Sequence, residues 1–139
     1  MTGMTKPIPT VVKYMTTSPH TLGADQTLAH ARSVMKEHEI RHLPVLRGGE
    51  LVGMVSERDL ALIEQFEEID PRSTLVEDAM STTIYKVPPE TPLDEVASEM
   101  ASKKYGSAVV VQNSKVVGIL TTVDVCAALA QLLRGRLAS

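Results

Sequence analysis

Gly53-Met54-Val55-Ser56-Glu57-Arg58-Asp59 and, 65 residues further on, Gly118-Ile119-Leu120-Thr121-Thr122-Val123-Asp124 decide how this chain is read. Each runs from an apolar stretch into a hydroxyl-x-x-acid step, the pattern of a strand handing over to a helix. Two readings of that step stay open. In one, the hydroxyl and the acid form a capping box and satisfy the first amides of the helix. In the other, the hydroxyl and the helix start attract phosphate, while the carboxylate accepts the hydroxyls of a ribose. Capping favours Glu as the acid, and both segments carry Asp.

Working outward from these segments, Val11–Leu62 aligns with Val76–Ala127 without a gap, and ten of the 52 pairs are identical: Val11/Val76, Met15/Met80, Thr17/Thr82, Leu28/Leu93, Ser33/Ser98, Met35/Met100, Val45/Val110, Val52/Val117, Gly53/Gly118 and Asp59/Asp124. Roughly three would match by chance. The chain is a tandem repeat, expected over residues 9–66 and 74–133, with flexible tails at 1–8 and 134–139. A unit of about 60 residues buries little surface alone, so the two copies are expected to share one body.

Each copy predicts the same order of elements. A lead-in segment (Val11–Met15, Val76–Met80) precedes a brief strand near Leu22 or Val87. A helix follows, with Leu28, Ala31, Val34 and Met35, or Leu93, Val96, Ala97 and Met100, at helical spacing. Pro92 suits its first turn, with Thr91 as N-cap. A hairpin comes next, turning at Gly48-Gly49 or at Asn113-Ser114, which is a weaker form of the same turn. A second helix closes each copy, over 57–66 and 122–133. Glu64–Ser73 is an acidic, solvated linker, and the fold class is α/β of the α+β type.

Composition removes several functions. Apolar residues are 43% and charged residues 22%, as in an average soluble domain. The longest stretch free of Asp, Glu, Lys and Arg is Tyr14–Ala24, too short and polar to span a bilayer. No basic n-region followed by an apolar run opens the chain, so no secretory signal is expected; the single Cys126 permits no internal disulfide, and a cytoplasmic location is expected. A net charge of −3 with no Trp, one Phe and three Tyr lacks the basic and aromatic footprint of a nucleic-acid binder.

With Met-Thr or Met-Ser, a strand, a helix, Ile40-Arg41-His42-Leu43-Pro44-Val45, and then Gly-apolar-apolar-hydroxyl-x-x-Asp in two copies, the chain resembles a tandem pair of CBS domains, a Bateman module. The resemblance covers roughly residues 9–133. It implies two β-α-β-β-α repeats packed with pseudo-twofold symmetry, pairing again into a disc-like homodimer. It also implies AMP, ADP, ATP or S-adenosylmethionine as a regulatory ligand, with no cofactor required. Carried over by position, Asp59 and Asp124 would hold ribose hydroxyls, and Ser56 and Thr121 would contact ribose or phosphate. The Asp124 cleft would take Met15, Thr16, His20 and Ile40, and the Asp59 cleft Met80, Ser81, Tyr85 and Tyr105. Met54 and Ile119 would touch adenine.

The copies differ where an anion would be held. Arg41, His42 and Arg58 stand in the first, and Gly106, Ser107 and Val123 in the second. Arg presents forked donors to phosphate, so the Asp59 cleft is expected to prefer phosphorylated ligands. The plainer reading of Arg41 and Arg58 is a surface salt link to Glu39 or Glu57. His20, His30, His38 and His42 lack metal-ligand spacing, and no nucleophile elbow or Walker loop occurs. Val125–Leu133 is greasy enough for either core burial or a dimer seam. The expectation is a non-enzymatic adenine-nucleotide sensor acting on a separate, unidentified effector protein. The rivals are a ligand-free dimerisation scaffold and a nucleic-acid-associated regulator.

Overall fold

The computed structural model describes residues 7–138. It divides into two compact units, and neither coincides with one sequence repeat. The Asp59 unit is Pro19–Ile84 with Asn113–Val116; the Asp124 unit takes in the lead-in segment up to Ser18, Tyr85–Gln112 and the chain from Val117 onward. Each repeat thus contributes its lead-in segment to the unit built mainly by the other repeat.

In the Asp59 unit, β2 (Leu22–Gly23), β3 (His42–Arg47) and β4 (Glu50–Ser56) form a sheet in the order β2-β3-β4, joined by α1 (Leu28–His38) and followed by α2 (Glu57–Ile63). β2 runs parallel to β3 with Leu22 opposite Val45, and β3 runs antiparallel to β4 with His42 opposite Ser56. The core gathers Leu22, Leu28, Ala31, Met35, Leu43, Val45, Val55 and Leu60, as the helical and strand spacings require. It also takes Val76 from the second lead-in segment, whose 3₁₀ turn is Val76–Asp78.

The Asp124 unit repeats this plan with β1 (Thr16–Thr17), β5 (Lys86–Val87), α3 (Leu93–Lys103), β6 (Ser107–Gln112), β7 (Lys115–Thr121) and α4 (Thr122–Ala138), in sheet order β1-β7-β6-β5. Its core holds Val87, Leu93, Val96, Met100, Ala108, Val110, Leu120 and Ala128, with Val11 from the first lead-in segment. Val11 and Val76, identical in the repeat, are both fully buried.

Both hairpins turn on two residues of positive φ, Gly48 (60°) and Gly49 (84°), then Asn113 (53°) and Ser114 (63°). Glycine meets that demand without strain, whereas Ser114 meets it against its own Cβ. α1 and α3 both end on a left-handed residue, Glu39 and Lys104.

Several boundaries differ from the sequence expectation. Thr91 does not cap α3: Pro92 holds the N-cap position, and the Thr91 hydroxyl donates to the Pro88 carbonyl at 2.8 Å. α2 stops at Ile63 rather than 66, loosening into turns before the acidic Glu67-Glu68. α4 runs on through Ala138, so the tail expected at 134–139 is helical up to its last described residue, while Ser139 lies outside the described residues. Of the arm expected at 1–8, residues 1–6 also lie outside them, and the Pro9 carbonyl is held by the Leu93 amide at 2.8 Å. The linker is anchored as well as solvated. Pro71 and Thr74 carbonyls accept from the Ala29 and Leu28 amides at the start of α1, and Ile69 packs on the core. These bonds supply partners that the first turn of a helix otherwise lacks.

Candidate functional site

The site begins where β4 meets α2. Ser56 leaves the strand in an extended conformation, and its hydroxyl accepts from the Asp59 amide at 3.1 Å. Asp59 Oδ2 in turn accepts from the Ser56 amide at 2.9 Å. The plainer of the two sequence readings, the capping box, is therefore formed. It leaves capacity over: among the described residues Asp59 Oδ1 accepts nothing, and a carboxylate has about four lone-pair sites.

The β7–α4 junction repeats this geometry with more of the carboxylate committed. Asp124 Oδ2 accepts from the Thr121 amide at 2.9 Å and from the Thr121 hydroxyl at 3.2 Å. Thr16 Oγ1 lies 3.4 Å from both carboxylate oxygens. Asp59 and Asp124 are both half-buried.

A lead-in segment lies over each junction. Thr16 pairs with Ile119 and Thr17 with Gly118, antiparallel; in the other unit Ser81 pairs with Met54, exchanging amide bonds of 2.9 and 2.8 Å. Thr16–Ile119 and Ser81–Met54 are the same pairing under the 65-residue offset. Glycine makes the approach feasible. A Cβ on Gly53 would strike the Met80 side chain and press on the Ser81 carbonyl, and one on Gly118 would strike Met15. Sequence reasoning named Met15 and Met80 but missed the glycines. The signal was present, since Gly53/Gly118 and Met15/Met80 are among the identical pairs.

The two junctions differ in charge. Arg41 is 81% exposed and its Nε lies 3.7 Å from the Glu57 carboxylate, the salt link of the plainer reading in a loose, solvated form. Arg58 makes no ion pair among the described residues. His42 stands opposite Ser56; burial holds its imidazole below the usual value, Asp59 pulls it up, and Arg41 pushes it down again. In the other unit Gly106, Ser107 and Val123 bring no charge.

The remaining predicted residues divide between the units. His20 stacks on His38 with ring centroids 3.6 Å apart, and Ile40 packs on the core, both in the Asp59 unit. Tyr85 and Tyr105 stack at 5.2 Å in the Asp124 unit, where burial raises the Tyr85 phenol, helped by Glu99, Glu95 and Tyr105. Each aspartate thus shares its unit with its own hydroxyl, with Met54 or Ile119, and with Ser81 or Thr16. The rings and Ile40 assigned to its cleft belong to the other unit.

Two hollows lie within the units. One, of about 460 Å³, is lined by Thr21–Asp25, Leu46–Gly49 and Glu77; the other, of about 570 Å³, by Tyr85, Asp94, Glu95, Ser98 and Glu99. Neither includes an aspartate of the two junctions. Among the described residues no three His, Cys, Asp or Glu could hold a metal ion, and no helix is long and apolar enough to cross a membrane.

Comparison with known proteins joins these observations. The CBS domain family model matches residues 11–64 and 76–131. A CBS domain-containing protein of Bacillus subtilis, YhcV, is 33% identical over 110 residues, covering 79% of this chain and 78% of that one. Among solved structures, the CBS domain pair of MJ0100 in complex with 5′-methylthioadenosine and S-adenosyl-L-methionine superposes with a TM-score of 0.79 at 26% identity, covering 94% of this chain and 99% of that one. CBSX2 in complex with AMP superposes with a TM-score of 0.74 at 27% identity, covering 88% and 97%.

Proposed function

The chain belongs to the CBS domain family, and we propose that it is a regulatory module that binds an adenosine ligand (AMP, ADP, ATP or S-adenosylmethionine) and controls a separate partner protein without catalysing a reaction. The observation that carries this is the state of Asp59. Its cap uses one carboxylate oxygen, and among the described residues the other accepts nothing, which leaves it able to accept ribose hydroxyls. The ligands held by the MJ0100 pair and by CBSX2 support the same chemistry, since all contain adenosine. Ser56 and Thr121 would contact ribose or phosphate, and Met54 and Ile119 adenine. Ser81 would serve the Asp59 site and Thr16 the Asp124 site.

The two sites are unequal in this reading. Arg41, His42 and Arg58 fit a phosphorylated ligand beside Asp59. Asp124, already approached by Thr16 and without a cation, fits a less charged one. Ligand binding would order the lead-in segments, and a partner with different affinity for the two states would read the change; only such a difference can transmit a signal. The module works as a cytoplasmic homodimer, and α4 supplies a seam: Val123, Leu129, Leu132 and Leu133 are all exposed.

Releasing and weighing the small molecules carried by freshly isolated protein tests the reading. Adenosine compounds in substoichiometric to equal amount are expected. If none is found, and saturating AMP, ATP and S-adenosylmethionine leave the melting temperature unchanged, the aspartates are helix caps only and the chain is a scaffold.

A further inference from the structure

His42 stands at the Asp59 junction where the other unit has Ser107. Its position follows from strand register. β3 places His42 across from Ser56, and Ser56 is joined to Asp59 by both bonds of the capping box, so His42 and Asp59 adjoin the same residue at the end of β4. We infer that His42 makes the Asp59 site proton-linked: a phosphorylated adenosine ligand binds there together with a proton taken up by the imidazole, whereas an unphosphorylated nucleoside binds without one.

The inference rests on the reading of Asp59 as a ribose acceptor and adds to it. The charges acting on His42 are Asp59 and Arg41. From α2, Glu57 faces Arg41 at 3.7 Å and Arg58 is exposed. On α1, which leads into β3, Glu37 and His38 lie 3.9 Å apart and Glu39 forms the C-cap. Ser81, carried in by the lead-in segment, is uncharged. Burial holds the free imidazole below its usual value, with Asp59 opposing the shift and Arg41 adding to it. A phosphate dianion at close range favours the charged form and draws a proton onto the ring. By reciprocity, lowering pH then tightens phosphate binding, by up to about tenfold per pH unit between the free and bound pKa values. Arg41 draws the phosphate at every pH, because a guanidinium does not titrate.

The test is calorimetric titration of the full chain carrying Asp124→Ala, which leaves the Asp59 site, with AMP and with adenosine at pH 7.5 in buffers of different ionisation enthalpy. AMP is expected to bind with uptake of a fraction of a proton, and adenosine with none. His42→Gln should remove the imidazole's share of that uptake and weaken AMP severalfold, with a smaller effect on adenosine. The phosphate's own titration, with a pKa of about 6, is common to both proteins and cancels in the comparison. An NMR titration of the His42 ring in the wild-type chain gives a second reading, and its pKa should rise when AMP is bound. Equal uptake in His42→Gln, or an imidazole pKa unmoved by AMP, overturns the inference while leaving the ribose reading standing. Failure of both AMP and adenosine to bind overturns the ribose reading and the inference with it.

Discussion

At the scale of single residues, substitution can separate the capping role of Asp59 from its proposed ribose contact. Asp59→Ala removes the carboxylate half of the capping box while the Ser56 hydroxyl keeps its amide donor, and costs up to about 1 kcal/mol of stability, whereas Asp59→Asn keeps an acceptor for the Ser56 amide and costs less. Chemical denaturation of the two variants checks the order. His42 gives a second prediction at this scale. Its folded-state pKa lies below the unfolded value, so the unfolded chain binds more protons as pH falls through about 6.5. Stability is therefore full above that pH and declines toward the lower folded pKa, and His42→Gln should flatten the decline in melting temperature measured from pH 7.5 to 5. Gly53 and Gly118 carry the third. Gly118→Ala should destabilise by about 1–3 kcal/mol through its clash with Met15, and shortening Met15 in the same chain should recover part of the loss, which a double-mutant cycle measures.

At the scale of elements, turn chemistry is where the sequence leaves stability unclaimed. Ser114, Glu39 and Lys104 all hold positive φ with a Cβ attached. Ser114→Gly and Lys104→Gly should each raise stability by about 0.5–1 kcal/mol, provided the relief of strain exceeds the added backbone entropy of glycine. Thermal melts of the single variants decide this. Elements with strong local signals were legible in the sequence. Leu28, Ala31 and Met35 mark α1 by spacing, Gly48-Gly49 marks its hairpin, and Ser56 with Asp59 marks the start of α2. Where tertiary bonds win over local pattern, the reading slipped. Thr91 scores as an N-cap, yet its hydroxyl finds Pro88 and its carbonyl takes the Val11 amide at 2.8 Å, a bond to a segment 80 positions away. Linker polarity likewise hid Ile69, whose burial depends on a core built by other elements.

At the scale of the whole molecule, the repeat was visible in ten identical pairs, but the exchange of lead-in segments was not. Offset comparison tells which residues correspond and says nothing of which copy they pack against. The family resemblance supplied that expectation, and Val11 and Val76 show its physical content, each fully buried in a core otherwise made by the other repeat. The exposed Leu129, Leu132 and Leu133 of α4 lead to one more prediction, for the proposed homodimer: Leu129→Glu with Leu132→Glu should shift the solution mass from dimer to monomer, as read by light scattering. The central claim is that Asp59 holds a ribose. Calorimetric titration of AMP into the wild-type chain and into Asp59→Ala tests it most directly. Losing a charge-assisted hydrogen bond of about 1.5–3 kcal/mol predicts affinity ten- to a hundredfold weaker in the variant, while equal affinity in the two folded proteins would contradict the account.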